Sequence, residues 1–413
     1  MRILSGTAAA AHVSKIASRG SRFDEGELAV RRIIDDVRRR GDNAVRKYAE
    51  RWDGLARKAS LRVPADEIEL AWKSTRPELK RALQAAAANI RSFCEMQKPN
   101  SWTRAGNGIS LGQIVRPLDS VGCYVPAGRY PLVSTLLMTA IPAQVAGVDR
   151  ICVVSPQPKM DVLAAAGMLG IGEVYRIGGA QAIAALAYGT KTIPRVAKIV
   201  GPGNLYVTAA KKLVAFDCSI DFLAGPTEVV IVSDAGTPEF IAADLVAQAE
   251  HDPEALAVFV TTRRVLADQV ARAAEQLSHE NAIARQSLRR HGVILVSGSC
   301  KQSFEWANEI AAEHITVDPR DVDMVRNAGS IFVGDYSPQA AGDYASGPNH
   351  VLPTGGAARF RGGLSVLDFV KLISVQKLTR PGLRTIAHVV ESLANTEGLQ
   401  AHAESIRARY GNA

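Results

Sequence analysis

The sequence predicts an α/β protein with two tandem Rossmann-like parallel-sheet domains, a helical N-terminal region and a helical C-terminal tail. The first indication is that short apolar segments alternate with longer helical segments over most of the chain's middle, which is typical of βαβ units. The second is composition: glycine is frequent, with 34 copies in 413 residues, and aromatic residues are sparse at 6%. The third is size, because 413 residues with 47% apolar content exceed one small core.

The N-terminal region, residues 1–114, is predicted to be helical and to pack on the second Rossmann-like domain. Between residues 25 and 97, apolar residues recur at helical spacing on two faces. The first face comprises Ala29, Ile33, Ile34 and Val37, and the second comprises Leu79, Leu83, Ala86, Ala87 and Ile90. No residue here suggests chemistry, so we interpret the region as scaffold.

Residues 115–226 are predicted to form the first Rossmann-like domain, on the cofactor side. Its predicted strands are 120–125, 150–155, 173–177 and 198–200, and its predicted helices are 135–145, 161–169, 181–188 and 206–215. Residues 227–370 are predicted to form the second. Its predicted strands are 228–233, 257–261, 293–296, 314–317 and 330–333, and its predicted helices are 238–250, 263–277, 302–311 and 322–328. The join lies near Gly225-Pro226.

The C-terminal tail, residues 371–413, is predicted to contain two helices. Ile386, Val389, Val390, Leu393 and Ala394 form an apolar stripe, and Leu399, His402 and Ile406 continue after Glu397-Gly398. A narrow apolar face must pack against this subunit or another one.

Charge and cysteine content exclude several classes of protein. The net charge is +8, but lysine and arginine are dispersed without an aromatic-interleaved basic stripe, so nucleic-acid binding is not expected. The five cysteines are widely spaced and odd in number, which favours reduced thiols in the cytoplasm. No segment has the length of a membrane span or the apolar core of a signal peptide, and we expect a cytoplasmic protein.

Two glycine-rich turns are candidates for nucleotide binding. Gly178-Gly179-Ala180-Gln181 and Gly201-Pro202-Gly203-Asn204 each follow a predicted strand and precede a predicted helix. Backbone N–H groups at such turns can meet a phosphate. Neither is a GxGxxG motif, and glycine pairs at βα turns also occur for steric reasons alone.

Three further segments contain ligand-type or acid–base side chains. Gln248 and His251 are three residues apart near a predicted helix end, so they either grip one ion or form an ordinary polar helix end. Glu313-His314 joins a helix to a strand, as an acid–base pair or as a capping pair. Residues 341–354 contain Asp343, Tyr344 and His350 among glycines and prolines; they are predicted to form a ligand-facing loop rather than a helix, or else a surface turn.

Taken together, these segments resemble the histidinol dehydrogenase family over almost the whole chain, in matching order and spacing. The matching stretches are 121–126 (VGCYVP), 177–189 (IGGAQAIAALAYG), 198–210 (KIVGPGNLYVTAA), 224–231 (AGPTEVVI), 244–251 (DLVAQAEH), 313–314 (EH) and 342–354 (GDYASGPNHVLPT). The resemblance implies a zinc-dependent homodimer that oxidises L-histidinol to L-histidine with two NAD in succession. That reaction is the last step of histidine biosynthesis.

Carried over residue by residue, the resemblance implies three sets of site residues. Zinc would be bound by Gln248, His251, Asp343 and His402; NAD would contact Tyr124, Gln181 and Asn204; and the substrate would meet the zinc ligands together with Thr227, His314 and Glu397. His402 and Glu397 would act in trans, from the partner subunit. His314 would be the proton acceptor during hydride transfer, and Glu313 would activate water.

Two departures from the family's pattern leave the substrate open at this point. Thr227 stands where the family usually has serine, and Arg129 with Tyr130 replaces small uncharged residues. An arginine near the cofactor cleft would suit another polar alcohol, for example an anionic or sulfonated one, and paralogues of that kind occur in the family. The other interpretation of Arg129, which we favour, is that it meets the NAD pyrophosphate or a surface carboxylate. A non-enzymatic binding protein agrees poorly with the retained acid–base and metal residues.

Overall fold

The computed structural model describes residues 1–19, 26–127 and 132–410. Arg129 and Tyr130 therefore lie outside the described residues. The helices are α1 (Gly6–Ala17), α2 (Glu27–Arg40), α3 (Asp42–Trp52), α4 (Ala65–Ser74), α5 (Pro77–Gln97), α6 (Val133–Ala146), α7 (Met160–Met168), α8 (Gly179–Tyr188), α9 (Leu205–Val214), α10 (Pro238–Ala249), α11 (Arg264–Leu277), α12 (Ala282–Arg290), α13 (Cys300–Ile310), α14 (Gln339–Tyr344), α15 (Arg380–Thr396) and α16 (Gln400–Tyr410).

The strands form three sheets. They are β1 (Arg2–Ser5), β2 (Trp102–Gly106), β3 (Ile109–Pro117), β4 (Ser120–Tyr124), β5 (Arg150–Val154), β6 (Val174–Tyr175), β7 (Lys198–Val200), β8 (Ser219–Ile220), β9 (Glu228–Val232), β10 (Leu256–Thr261), β11 (Gly292–Val296), β12 (His314–Val317), β13 (Ser330–Val333) and β14 (Val370–Leu378). Each strand predicted between residues 120 and 333 is confirmed.

The first sheet is parallel, with strand order β6-β5-β4-β7-β8. The chain leaves β4 toward β5 and β6 on one side and then returns to β7 and β8 on the other. The carboxyl ends of β4 and β7 therefore flank a topological switch point, where a crevice opens in sheets of this kind. Helices α2, α3, α8 and α9 cover one face, and α4 to α7 cover the other.

The second sheet is also parallel, with strand order β1-β11-β10-β9-β12-β13. Its central strands β9 and β10 are buried along their whole length and rich in β-branched residues, as expected for strands covered on both faces. Helices α1 and α13 cover one face, and α10 to α12 cover the other.

The N-terminal region does not pack as predicted. Strand β1 and helix α1 do join the second sheet, but α2 to α5 pack on the first. The reason is that the apolar faces of these helices are buried against first-sheet elements. The buried face of α2 meets α8 and α9 and consists of Val30, Ile33, Ile34 and Val37, whereas Ala29 of the predicted face is exposed. The predicted boundary between residues 114 and 115 therefore separates α2 to α5 from the sheet on which they pack.

Two local predictions are wrong. The helix predicted over 322–328 is instead a 3₁₀ turn at Pro319–Met324, because the N–H groups of Arg326 and Asn327 are taken by the side chain of Asn308, 2.6 and 3.1 Å away. The loop predicted over 341–354 begins inside α14. Gly342 lets α14 pack closely on Phe332, because a Cβ at this position would lie 2.8 Å from the ring.

The third sheet is antiparallel, with strand order β14-β3-β2, and the sequence did not predict it. The predicted C-terminal helices follow β14 of this sheet and are confirmed as α15 and α16. These helices pack mainly on each other and on β14. Within residues 1–19, 26–127 and 132–410, no helix has the length and hydrophobicity needed to cross a membrane.

Candidate active site

Four polar residues meet at the amino ends of two neighbouring strands. Three of them are predicted site residues, and the fourth is Glu228. Thr227 precedes β9, of which Glu228 is the first residue; Glu313 precedes β12, of which His314 is the first. Strands β9 and β12 are parallel neighbours, with His314 opposite Val229. Parallel pairing therefore places both strand starts at one edge of the sheet.

Glu313 is buried and hydrogen-bonded through one carboxyl oxygen. Its Oε2 accepts the main-chain N–H of Glu228 at 3.0 Å and the hydroxyl of Thr227. Burial raises the pKa of Glu313 well above its ordinary value, with the bonds from Thr227 and Glu228 opposing that shift. A carboxyl group held in this way is suited to exchanging a proton closer to neutral pH than an exposed glutamate.

His314 is buried beside it and lies between two oxygen atoms. Its Nδ1 is 3.2 Å from the main-chain oxygen of Glu228, and its Nε2 is 3.7 Å from Oδ1 of Asp343. Burial lowers the pKa of His314, although the carboxylate of Asp343 opposes the shift. The neutral imidazole is thus favoured, and a proton on Nδ1 leaves Nε2 free to act as a base.

Asp343 lies near the end of α14, and the chain folds back so that His350 contacts it. The Nδ1 atom of His350 is 2.7 Å from the main-chain oxygen of Asp343, and its Nε2 is 3.5 Å from the hydroxyl of Thr135. Burial lowers the pKa of His350 as well. The glycine- and proline-rich stretch after α14 therefore places a second imidazole against the site.

Gln248 is buried on α10 and reaches the same cluster, since its side-chain NH₂ donates to the hydroxyl of Thr227. Its amide oxygen is left for another partner. His251 is exposed and lies in the turn that follows α10, which ends at Ala249. Its N–H is 3.4 Å from the main-chain oxygen of Gln248, and the gripping of one ion by these two residues stays a prediction. His251 still lies close enough to lower the pKa of both His314 and His350.

Glu397 and His402 are not brought to this cluster within one chain. Both are exposed, Glu397 directly after α15 and His402 in α16. In the described part of a single chain, no group of three or more His, Cys, Asp or Glu side chains is arranged to hold a metal ion. Of the predicted zinc ligands, one chain thus places only Gln248, His251 and Asp343 near Glu313 and His314.

The predicted cofactor residues lie at the switch point of the first sheet. Tyr124 ends β4, and its hydroxyl accepts the N–H of Gly179 at 3.1 Å. Burial raises the pKa of Tyr124 to about 12, so the hydroxyl stays protonated. Gly201, after β7, has φ of +112°, and a Cβ there would lie 2.2 Å from the main-chain oxygen of Tyr124, so only glycine fits.

Gln181 and Asn204 differ in how fully they are satisfied. Asn204 is exposed and caps α9 by accepting the N–H of Val207 at 3.1 Å. Gln181 is 1% exposed, yet its Oε1 has no hydrogen-bond partner among the residues that the structure describes. The hydroxyl of Ser155, after β5, is equally buried and unpartnered. The carboxyl edge of the first sheet therefore has unused hydrogen-bonding capacity.

Sequence reasoning missed three residues that hold these sites. Glu228 contacts Glu313 and His314 through its main chain, and Arg19 grips its side chain. Asp53, at the end of α3, bonds to Gly178 and Gln181. Glu228 lay in the recognised stretch 224–231 without an assigned role, whereas nothing in the local sequence marked Arg19 or Asp53.

The two Rossmann-like sheets and the buried acid–base pair define an α/β enzyme. The family model described as histidinol dehydrogenase matches residues 17–410. The chain is 49% identical over 396 residues to a histidinol dehydrogenase of Methanothermobacter thermautotrophicus, covering 91% of this chain and 92% of the relative. It is 45% identical over 416 residues to one of Geobacter sulfurreducens, covering 97% of each.

A solved structure agrees with these relatives. The crystal structure of histidinol dehydrogenase from Elizabethkingia anophelis superposes with a TM-score of 0.94 at 34% identity, covering 99% of this chain and 98% of that one. The chain belongs to the histidinol dehydrogenase family and is an oxidoreductase.

Proposed function

We propose that this chain is a cytoplasmic enzyme that oxidises L-histidinol through L-histidinal to L-histidine, in two successive hydride transfers to NAD. That is the last step of histidine biosynthesis. The main structural support is the contact between Glu313 and His314 at the edge of the second sheet, with Thr227 and Asp343 beside them. Two proton acceptors with different surroundings suit two chemically different oxidation steps.

The donor atoms around this pair fit a zinc ion. Gln248 donates through its NH₂ to Thr227, which leaves its amide oxygen for a metal, and Asp343 and His251 add a carboxylate and an imidazole. We propose that His402 of the partner subunit is the fourth ligand. When bound, zinc supplies a Lewis acid that holds a small substrate bearing amino and imidazole nitrogens.

The first sheet fits a dinucleotide at its switch point. Among the described residues Oε1 of Gln181 has no partner, and it lies at the carboxyl edge where such cofactors bind; Tyr124 ends β4, and Asn204 caps the start of α9 after β7. We propose these three residues as NAD contacts and residues 115–226 as the NAD-side domain. When bound, NAD supplies the hydride acceptor.

His314 acts as the base in the alcohol oxidation. Its Nδ1 is held by the main-chain oxygen of Glu228, so Nε2 takes the proton from the substrate hydroxyl. Asp343, 3.7 Å from Nε2, stabilises the imidazolium that forms. The same nitrogen accepts a proton again during the second oxidation.

Glu313 acts in the second step, where the aldehyde must gain an oxygen atom from water. Its raised pKa makes the ionised carboxylate a stronger base than an exposed glutamate, and Thr227 with the Glu228 N–H keeps one oxygen fixed. Thr227 also links this carboxyl group to Gln248, so a substrate near the metal ligands would lie within reach of both groups. Residues 227–370 would thus form the catalytic domain.

We propose that the enzyme is a homodimer in which residues 371–413 reach the neighbouring subunit. Several large apolar side chains are exposed on β14, α15 and the segment before α16: Leu372, Ile373, Val375, Val389, Leu393 and Leu399. Such a surface requires a partner. The partner's Glu397 and the partner's His402 would then complete each site, as contacts to substrate and metal.

The test is turnover by the purified chain together with growth of a histidine auxotroph. With L-histidinol and NAD, about two NADH and one histidine should form per histidinol consumed. A bacterium that lacks this activity should grow without histidine when it expresses the chain. A sulfonated diol serves as the control substrate; NADH formation from the diol but not from histidinol, with no growth, would contradict the proposal.

A further inference from the structure

The turn that opens α8 already uses two of its N–H groups within the protein. Gly178 donates to Oδ2 of Asp53 at 3.0 Å, and Gly179 donates to the hydroxyl of Tyr124 at 3.1 Å. A phosphate bound at a helix start needs such N–H groups free. In this structure both N–H groups are occupied within the protein, and the nearby carboxylate of Asp53 would repel a phosphate.

The side chain of Gln181 points to a different kind of ligand group. Its Nε2 donates to Oδ2 of Asp53 at 3.0 Å, while its buried Oε1 has no hydrogen-bond partner within residues 1–19, 26–127 and 132–410. If the amide were flipped, Oε1 would face a carboxylate oxygen, and two acceptors at that distance repel each other. Asp53 therefore fixes the amide so that Oε1 remains an unused acceptor beside Gly179, where an added Cβ would lie 2.8 Å from it.

Asp53 is itself fixed from outside the sheet. Asp53 directly follows α3, and its main-chain oxygen accepts a hydrogen bond from Nε2 of Gln157 at 2.7 Å. The next residue, Gly54, has φ of +63°, and a Cβ there would lie 2.2 Å from Nε2 of Gln157. The N-terminal helical layer thus supplies a rigid carboxylate to the crevice of the first sheet.

We propose that Asp53 is a positioning residue of the cofactor site. It holds the amide of Gln181 so that Oε1 accepts a hydrogen bond from a hydroxyl, amide or amino group of the bound dinucleotide, and not from its phosphates. This inference rests on the proposed NAD site. It adds to that site a residue that touches no cofactor and acts through Gln181.

The experiment compares Asp53→Ala, Asp53→Asn, Gln181→Ala and the double variant Asp53→Ala/Gln181→Ala. The readouts are NADH affinity by fluorescence titration and KM for NAD and for histidinol. Asp53→Ala should weaken NADH binding about tenfold, as expected for lost hydrogen bonds to a charged group, and leave KM for histidinol unchanged. Asp53→Asn should stay within about threefold, because its carbonyl oxygen can still accept both bonds.

The double variant decides whether Asp53 acts through Gln181. In the Gln181→Ala background, Asp53→Ala should add less than about twofold, since coupled residues are not additive. Equal effects in both backgrounds, or equal changes in KM for NAD and histidinol, would overturn the inference. The NADH titration needs no turnover, so dependence on Asp53 is measurable even if histidinol is not the substrate; failure of wild type to oxidise histidinol refutes the proposed function instead.

A second pair of variants serves if Asp53→Ala does not fold. Gln181→Glu places two carboxyl groups together and should weaken NADH binding at pH 8 about tenfold or more. Asp53→Asn/Gln181→Glu exchanges the amide and the carboxylate and should restore most of the affinity. Absence of recovery in a folded double variant would also reject the role of Asp53.

Discussion

The Nδ1 atom of His314 lies 3.2 Å from the main-chain oxygen of Glu228, the residue whose N–H donates to Glu313. One residue of β9 therefore orients both members of the acid–base pair. The side chain of Glu228 is held in turn, because Arg19 meets its two carboxyl oxygens at 2.7 Å each and Gly355 donates its N–H at 3.0 Å. The position of the pair thus depends on Arg19, two residues after the end of α1.

Arg19→Met should destabilise the protein and lower kcat more than it changes KM for NAD. The carboxylate of Glu228 is 4% exposed, and removing one partner of a buried ion pair costs about 3 kcal/mol. Thermal unfolding at matched protein concentration and steady-state kinetics measure the two effects. Arg31→Met is the control, because the Arg31–Glu27 pair is exposed and solvent screens it. Equal losses of stability in both variants would contradict the role of Arg19.

The parallel sheets could be predicted because buried strands and helices alternate locally, and the cluster of Glu313, His314 and Thr227 followed from the resemblance. The pairing of β14 with β3 could not, since β14 comes from the opposite part of the chain. The β2–β3 hairpin of the same sheet does carry a local signal that was missed, because Asn107-Gly108, with φ of +52° and +75°, is a two-residue turn of the kind that joins antiparallel strands. Asp53 could not be predicted either. Its role depends on α3 packing beside α8, which no periodicity in residues 42–54 specifies.

His314→Asn and Glu313→Gln should impair different half-reactions. His314→Asn should slow alcohol oxidation by about 10²–10⁴-fold, the usual loss for a removed base. Glu313→Gln should slow histidinal oxidation by a similar factor and spare alcohol oxidation, because only the aldehyde step needs activated water. Rapid-quench measurement of histidinal and histidine separates the steps. Equal loss of both half-reactions in both variants would refute the division of roles.

Removal of zinc should abolish turnover, and added Zn²⁺ should restore it. Gln248, His251 and Asp343 supply neutral oxygen, imidazole and carboxylate donors that suit this metal. His251→Asn should therefore lower the zinc content measured by elemental analysis. His279→Asn is the control, since His279 is also exposed but lies at the end of α11, outside the predicted ligand set. Metal-free protein with full activity would exclude zinc.

The stability of wild type relative to Asp53→Asn should fall as pH rises. Burial raises the pKa of Asp53 above its ordinary value of 3.8, so the folded protein binds this proton more tightly than the unfolded chain. The stabilisation is present below the unfolded pKa and is lost as pH rises through the folded pKa. Melting temperatures of both proteins across that range measure the difference.

Asp36→Asn provides the control of opposite sign. The Arg40 guanidinium hydrogen-bonded to Asp36 lowers the pKa of that carboxyl to about 2, and the Tyr48 hydroxyl adds to the shift. Its stabilisation is present above the unfolded pKa and is lost as pH falls toward 2. The two differences should therefore change in opposite directions, and parallel curves would contradict the assignment for Asp53.

Mixing His402→Ala subunits with His251→Ala subunits should restore activity that neither variant has alone. If His402 acts in trans, both lesions of a mixed dimer fall in the same site, because one chain supplies His251 and the other supplies His402. The second site keeps every ligand. Random exchange of equal amounts makes half of the dimers mixed, so the activity should recover to about one quarter of wild type for a twofold-symmetric dimer. Native mass spectrometry confirms that the subunits have exchanged. The control is a mixture of His388→Ala and His402→Ala subunits. It should give more activity, since His388 is exposed on α15 and lies outside the proposed site. No recovery after confirmed exchange would mean that His402 acts within its own subunit.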